Sequence, residues 1–290
     1  MAIYKLQDKI RKMKNPTILN FSVLPEYIPQ QILENSDSFL VARERYCIAL
    51  MDALKEIVPG VRFSYPTFAL AGADGLDSLK KLLDYANECG YYVLLDGVTA
   101  LSAQEAAYQA ELIMGVSFAY YYDGLIITDY IGSDVIKPYL PYMKENGKDL
   151  FVVARTANRS AGELQDLLSG TRWMHFANVD MINRFVTPLM TKCAYSQVAV
   201  VASASHPDSL RNIRQRFKEV FLLMDGCDYP NANAKNCSNG FDQIGHGAAA
   251  CACSSILAAW QEEDGQDYVS AAIAGAQRVR KNLLRYVTIL

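Results

Sequence analysis

The sequence has no apolar run near the roughly 18 residues needed to cross a bilayer, so no membrane span is expected. It has no surplus of positive charge either. Its 28 Lys and Arg face 31 Asp and Glu, a formal net charge of −3. That balance speaks against a basic surface tracking a nucleic-acid backbone. There is no Walker loop, dinucleotide fingerprint or nucleophile elbow. Where an open doubly wound sheet would carry a glycine-rich phosphate loop, this chain reads Ser22-Val23-Leu24-Pro25. The three histidines, His175, His206 and His246, are isolated, and no Cys-x-x-Cys or His-x-x-x-His spacing supports a metal site. No metal and no cofactor is expected.

Cysteine is present in an odd number, seven, scattered from Cys47 to Cys253. The N-terminal stretch is charged and periodic (Ile3, Leu6, Ile10, Met13), an amphipathic helix rather than the continuous apolar core of a signal peptide. Reduced thiols in a cytoplasmic protein are the simplest expectation. Cys251-x-Cys253 reads as a small-residue strand in which cysteine is a compact hydrophobe.

The chain has 290 residues, 51% of them hydrophobic and 20% charged, enough for a large core. Short Val/Ile/Leu-rich runs fall near Ile18–Val23, Val61–Tyr65, Tyr91–Leu95, Gly124–Thr128, Leu150–Ala154, Val198–Ala202, Val220–Met224 and Ala248–Cys253. They are apolar on both faces, as in a parallel sheet covered by helices. Helical stripes lie between them, such as Leu79, Leu82, Leu83 and Ala86, for which Asp77 or Ser78 could serve as cap and Gly90 as stop. A second stripe is Val269, Ala272, Ile273 and Ala276. Eight strands alternating with helices fit a (β/α)₈ TIM barrel. No linker divides the chain, so residues 1–290 are expected to form a single domain with 1–15 as an extra helix.

In such a barrel, chemistry sits at the C-terminal ends of the strands. The polar residues there are Ser22, Arg62, Ser64, Asp96, Thr128, Asp129, Arg155, Thr156, Ser203, Ser205, Asp225, Ser254 and Ser255. Asp96 follows an apolar strand and needs a counter-charge, which Arg62 on the preceding strand can supply. The pair is either a catalytic remnant or an ion pair closing the barrel top. Arg155, followed by Thr156, either binds an anion or pins neighbouring loops.

Several longer segments resemble one family. Ile131–Leu140 (IGSDVIKPYL) is similar to the segment after the fourth strand of orotidine 5′-phosphate decarboxylases in their longer bacterial form. Gly147–Asn158 (GKDLFVVARTAN) is similar to its fifth strand, and Leu164-Gln165-Asp166 to the stretch beyond that strand. Tyr195–Val198 and His206–Leu210 fit its sixth strand and helix. The resemblance runs from about Lys14 to the last helix. It implies a (β/α)₈ barrel, a homodimer with sites near the interface, and a place in pyrimidine (UMP) biosynthesis.

The family's catalytic motif, Asp-x-Lys-Arg-x-Asp after the third strand, is matched only in part. Asp96 stands at the first acid, Val98 at the lysine that protonates the decarboxylated carbon, and Leu101 at the second acid. Arg62 corresponds to the second-strand lysine and Ser22 to the first-strand acid. The family's Gly-Tyr-Gly-Ala-Gln-Gly-Gly phosphate loop is replaced by Gly226–Ala232, which includes Asn231, and its phosphate-clamping arginine by Ser254. Asp225 and Asp228 would repel a phosphate.

The expected function is therefore a decarboxylase-like barrel without decarboxylase activity. Asp96 and Arg62 remain as remnants, and Ser22, Thr128, Arg155, Thr156, Ser203, Asn231 and Ser254 are candidate ligand contacts. The expected partner is a small molecule, with nucleotide binding in doubt. The alternatives are a working decarboxylase with a displaced proton donor, or a different lyase-type reaction at Asp96 and Arg62.

Overall fold

The computed structural model describes residues 2–115, 118–228, 232–262 and 267–290. Eight parallel strands form a closed barrel in sequential order, with β1 paired to both β2 and β8. They are β1 (Thr17–Asn20), β2 (Gly60–Ser64), β3 (Tyr92–Val98), β4 (Gly124–Ile127), β5 (Asp149–Val153), β6 (Val198–Ser203), β7 (Leu222–Asp225) and β8 (Ala248–Ala252). Nearly every strand residue is buried, because side chains alternate between the barrel interior and the helix layer. A (β/α)₈ barrel is what the sequence implied, with strand ends shifted by a few residues.

β3 departs most. It runs three residues beyond the expected Leu95, and its register against β4 shifts between Asp96 and Val98. Gly97 makes this possible. Its φ is +97°, and a Cβ there would come within 2.4 Å of Pro66 Cδ. Only glycine accepts both the angle and the contact.

Helix α1 (Ala2–Met13) buries Ile3, Leu6 and Ile10, as the period predicted, but leaves Met13 at its last turn half-buried and buries Gln7 as well. Lys5 Nζ donates to the Tyr91 carbonyl at 3.2 Å and to Asp123 at 3.1 and 3.2 Å. Gln7 Oε1 accepts from the Gly247 N–H at 2.9 Å, and the Ala2 N–H donates to the Gly147 carbonyl at 2.9 Å. These partners stand just before β3, β4, β8 and β5, so α1 lies across the N-terminal end of the barrel.

Two details of the helices differ from expectation. The helix carrying Leu79, Leu82, Leu83 and Ala86 runs Gly72–Glu88, so Asp77 and Ser78 lie within it and cap nothing. It starts early because it packs against the short helix Tyr65–Ala69. A Cβ on Gly75 would sit 2.1 Å from the Phe68 carbonyl. The last helix, Tyr268–Leu284, buries Ala271, Ala272, Gly275 and Ala276, leaving Val269 and Ile273 only half-buried. Its small-residue face lies close against the helix Ser254–Leu257, which the larger side chains would hold off. Among the described residues no helix is long and apolar enough to cross a membrane.

Candidate functional site

Two polar clusters occupy the C-terminal ends of the strands. The first is centred on Arg62, which projects from β2 and is 9% exposed. Its Nε donates to Asp96 Oδ2 at 2.9 Å, and Nη2 donates to the same oxygen. Nη1 lies 3.2 Å from Asp225 Oδ1 and 3.9 Å from Cys251 Sγ. Four strands, β2, β3, β7 and β8, thus meet at one guanidinium. Burial works against its charge, but Asp225, Asp96 and the Cys251 sulfur outweigh that and hold it more firmly protonated than usual. Burial pushes the Cys251 thiol up to about 12.

The sequence placed Asp225 among the polar strand ends but did not pair it with Arg62. Its signal was the one that singled out Asp96: a carboxylate directly after an apolar strand. What concealed the pairing was distance, since Arg62 and Asp225 are 163 positions apart on strands that are not neighbours, and their side chains meet only when the barrel closes. Next to it, Asp228 Oδ2 accepts the N–H of Cys253, at the entry to the helix Ser254–Leu257. Cys253 Sγ in turn lies 3.7 Å from the Ser22 carbonyl, bringing the ends of β1, β7 and β8 together.

The second cluster is centred on Arg155, 1% exposed beyond β5. Its two terminal nitrogens hold Asp166 at 2.5 and 2.8 Å. His175 Nδ1 is 2.8 Å from the Gln165 carbonyl, and its Nε2 is 3.2 Å from Ser209 Oγ. Thr156 is bound by Gln165 and donates to Asn158 at 2.6 Å. Ser203 Oγ accepts the Ser205 N–H at 3.0 Å and lies 3.4 Å from His206 Nδ1. Burial, with Arg155 adding to it, keeps His206 below its usual range. Here the arginine ties down the long excursion after β5.

No protein-family model matches the chain. The orotidine 5′-phosphate decarboxylase of Rhodopirellula baltica is 24% identical over 246 residues, 83% of this chain and 82% of its own. That of Clostridium kluyveri is 25% identical over 293 residues, 98% of either chain. The chain is a homologue of the orotidine 5′-phosphate decarboxylases. Solved decarboxylases share the barrel. The Plasmodium berghei protein superposes with a TM-score of 0.79 at 14% identity, covering 99% of this chain and 98% of its own. The Methanocaldococcus jannaschii decarboxylase, complexed with the inhibitor BMP, gives 0.60 at 14% identity, covering 93% and 98%.

On this decarboxylase-like barrel the remaining candidate positions are dispersed. Val98 is buried and Leu101, three residues on, is 81% exposed. Thr128 Oγ1 donates to Thr99 Oγ1 at 2.9 Å on the exposed rim. Ser22 is exposed and Ser254 half-buried. Asn231 lies outside the described residues. Among the described residues, no three His, Cys, Asp or Glu side chains converge as metal ligands would.

Proposed function

We propose that this orotidine 5′-phosphate decarboxylase-like barrel does not decarboxylate orotidine 5′-phosphate, and that its mouth binds a small molecule lacking a phosphate. The observation that carries this reading is the bonding of Arg62 to Asp96 and Asp225 together. Loss of carbon dioxide leaves carbanion character on the ring, which needs an adjacent positive charge and a proton. A guanidinium keeps its proton far above neutral pH, so Arg62 is a poor donor. Its charge is also committed to two carboxylates. Among the described residues no lysine forms an ion pair with Asp96 or Asp225. The Cys253 amide, which an anion could use, already holds Asp228. Asp96, Arg62 and Asp225 then bind and orient a neutral or cationic ligand, with Ser22 and Ser254 at the edge.

The second reading, a working decarboxylase with a displaced donor, is favoured by the names of the relatives, which cover most of the chain. Loss of orotate absorbance decides between the two. The proposal expects no turnover with orotidine 5′-phosphate, and no calorimetric heat from orotidine or uridine monophosphate at concentrations that saturate a decarboxylase. Turnover within about tenfold of a family member overturns it.

We also propose a homodimer. Leu70, Leu101 and Tyr130 are 90%, 81% and 87% exposed on the loops after β2, β3 and β4, an apolar rim on one side of the mouth. Light scattering at micromolar concentration should give twice the chain mass, and a strict monomer would refute the pairing.

A further inference from the structure

Beyond the Arg62 cluster, β7 ends in a pair of thiols. Cys227 follows Asp225 by two residues and is half-buried, with its sulfur 3.4 Å from the Met224 carbonyl. Cys237 is buried on the short helix Ala234–Ser238, which Asn233 caps by accepting the Asn236 N–H at 2.9 Å. The two sulfurs are 3.5 Å apart. That is van der Waals contact between side chains ten positions apart in sequence, on two separately anchored elements. A disulfide needs the sulfurs at about 2.05 Å, within reach of side-chain rotation and a small shift of the strand end.

We propose that Cys227 and Cys237 form a reversible intrachain disulfide, a modification site that ties the Asp225 end of β7 to the helix Ala234–Ser238. With a small-molecule disulfide such as oxidised glutathione the chemistry balances. The Cys227 thiolate, the more accessible of the two, attacks one glutathione sulfur, breaking its S–S bond and releasing the first glutathione thiolate, which takes up the proton lost from Cys227. The Cys237 thiolate then attacks the Cys227 sulfur and expels the second glutathione thiolate, which is protonated in turn. Two protein thiols are oxidised, and one oxidised glutathione is reduced to two thiols. Contact with Cys237 and burial hold the Cys227 thiol well above its usual range, so exchange is slow at neutral pH and quickens as pH rises. The other cysteines offer no such pair: among the described residues no second pair of sulfurs is found in hydrogen-bonding contact, and Cys251 faces Arg62.

The test is non-reducing tryptic mapping of the folded, full-length chain after incubation with oxidised glutathione and alkylation of the remaining thiols. Tryptic cleavage at Lys235 separates Cys227 from Cys237, and a second, chymotryptic cleavage at Phe241 separates Cys237 from Cys251 and Cys253, so a cross-link from Cys227 to Cys237 and one to Cys251 join different pairs of peptides. The expected result is a Cys227–Cys237 linked pair, lost on treatment with dithiothreitol. Cys237→Ala should abolish it and leave glutathione on Cys227, while Cys251→Ser should keep it. If Cys237→Ala does not fold, the wild-type map alone decides. Seven alkylated thiols after oxidation, or Cys227 joined to Cys251 instead of Cys237, would overturn the proposal.

Discussion

Tyr92 Oη donates to Asp149 Oδ2 at 2.6 Å inside the barrel, with both residues fully buried. Burial raises the Asp149 carboxyl well above its usual range, even though the tyrosine favours its charged form. The pair joins β3 to β5 across the lower layer of the interior, where Gly124 of β4 leaves room for the tyrosine hydroxyl. Tyr92→Phe removes the donor and leaves a buried oxygen without it, which should cost about 1–3 kcal/mol. Urea unfolding of the variant beside wild type measures this, and an unchanged midpoint would refute the assignment.

A second buried carboxyl predicts a pH dependence. Asp129, just beyond β4, is raised to about 6 by burial, against which the Asn178 amide works at 3.1 Å. Because the folded value lies above the unfolded one, the stability tied to this proton is complete below about pH 4 and lost as pH rises through about 6. Asp129→Asn should remove that decline, on the order of 2–3 kcal/mol between the two ends. Unfolding free energies of both proteins at pH 4, 5, 6 and 7 give the difference directly. Parallel curves would exclude Asp129 as the titrating group.

Arg62 is expected to be the most costly position at the mouth. Arg62→Met strands Asp96 and Asp225 close together without their cation, and should destabilise the fold by about 2–4 kcal/mol. Adding Asp225→Asn should restore part of that loss, since the two residues are in direct contact. Additive losses in this double-mutant cycle would mean that the 3.2 Å contact carries no coupling.

Restoring one family residue should not restore decarboxylation. Val98→Lys places an amine on β3 but leaves Leu101, Asp228 and Ser254 as they are. Groups that act as a unit lose nearly everything when one is missing. Orotate absorbance in the presence of Val98→Lys should stay constant over hours. A measurable decrease that wild type lacks would show that the lysine alone was limiting.

The barrel was legible because its signals are local. Each strand is a short apolar run, and the register follows from sequential closure. The Asp96–Arg62 pair was legible for the same reason: the two lie on neighbouring strands and each needs the other's charge. The contact of Arg62 with Asp225, and the identity of Asp166 as the partner of Arg155, were not. The first depends on a contact across the closed barrel. The second depends on how an excursion with its own hairpin, Leu168–Ser169 against Arg172–Trp173, folds back on its strand. The helix face at Ala271, Ala272, Gly275 and Ala276 escaped because periodicity weights bulky residues, whereas close helix contact selects small ones.

Helix α1 divides the barrel into a fixed end and a variable one. Its bonds to Tyr91, Asp123, Gly247 and Gly147 tie the starts of four strands to a single helix. Changes in the segments beyond Asp96 and Asp225 can then alter what the mouth meets without loosening the frame beneath it.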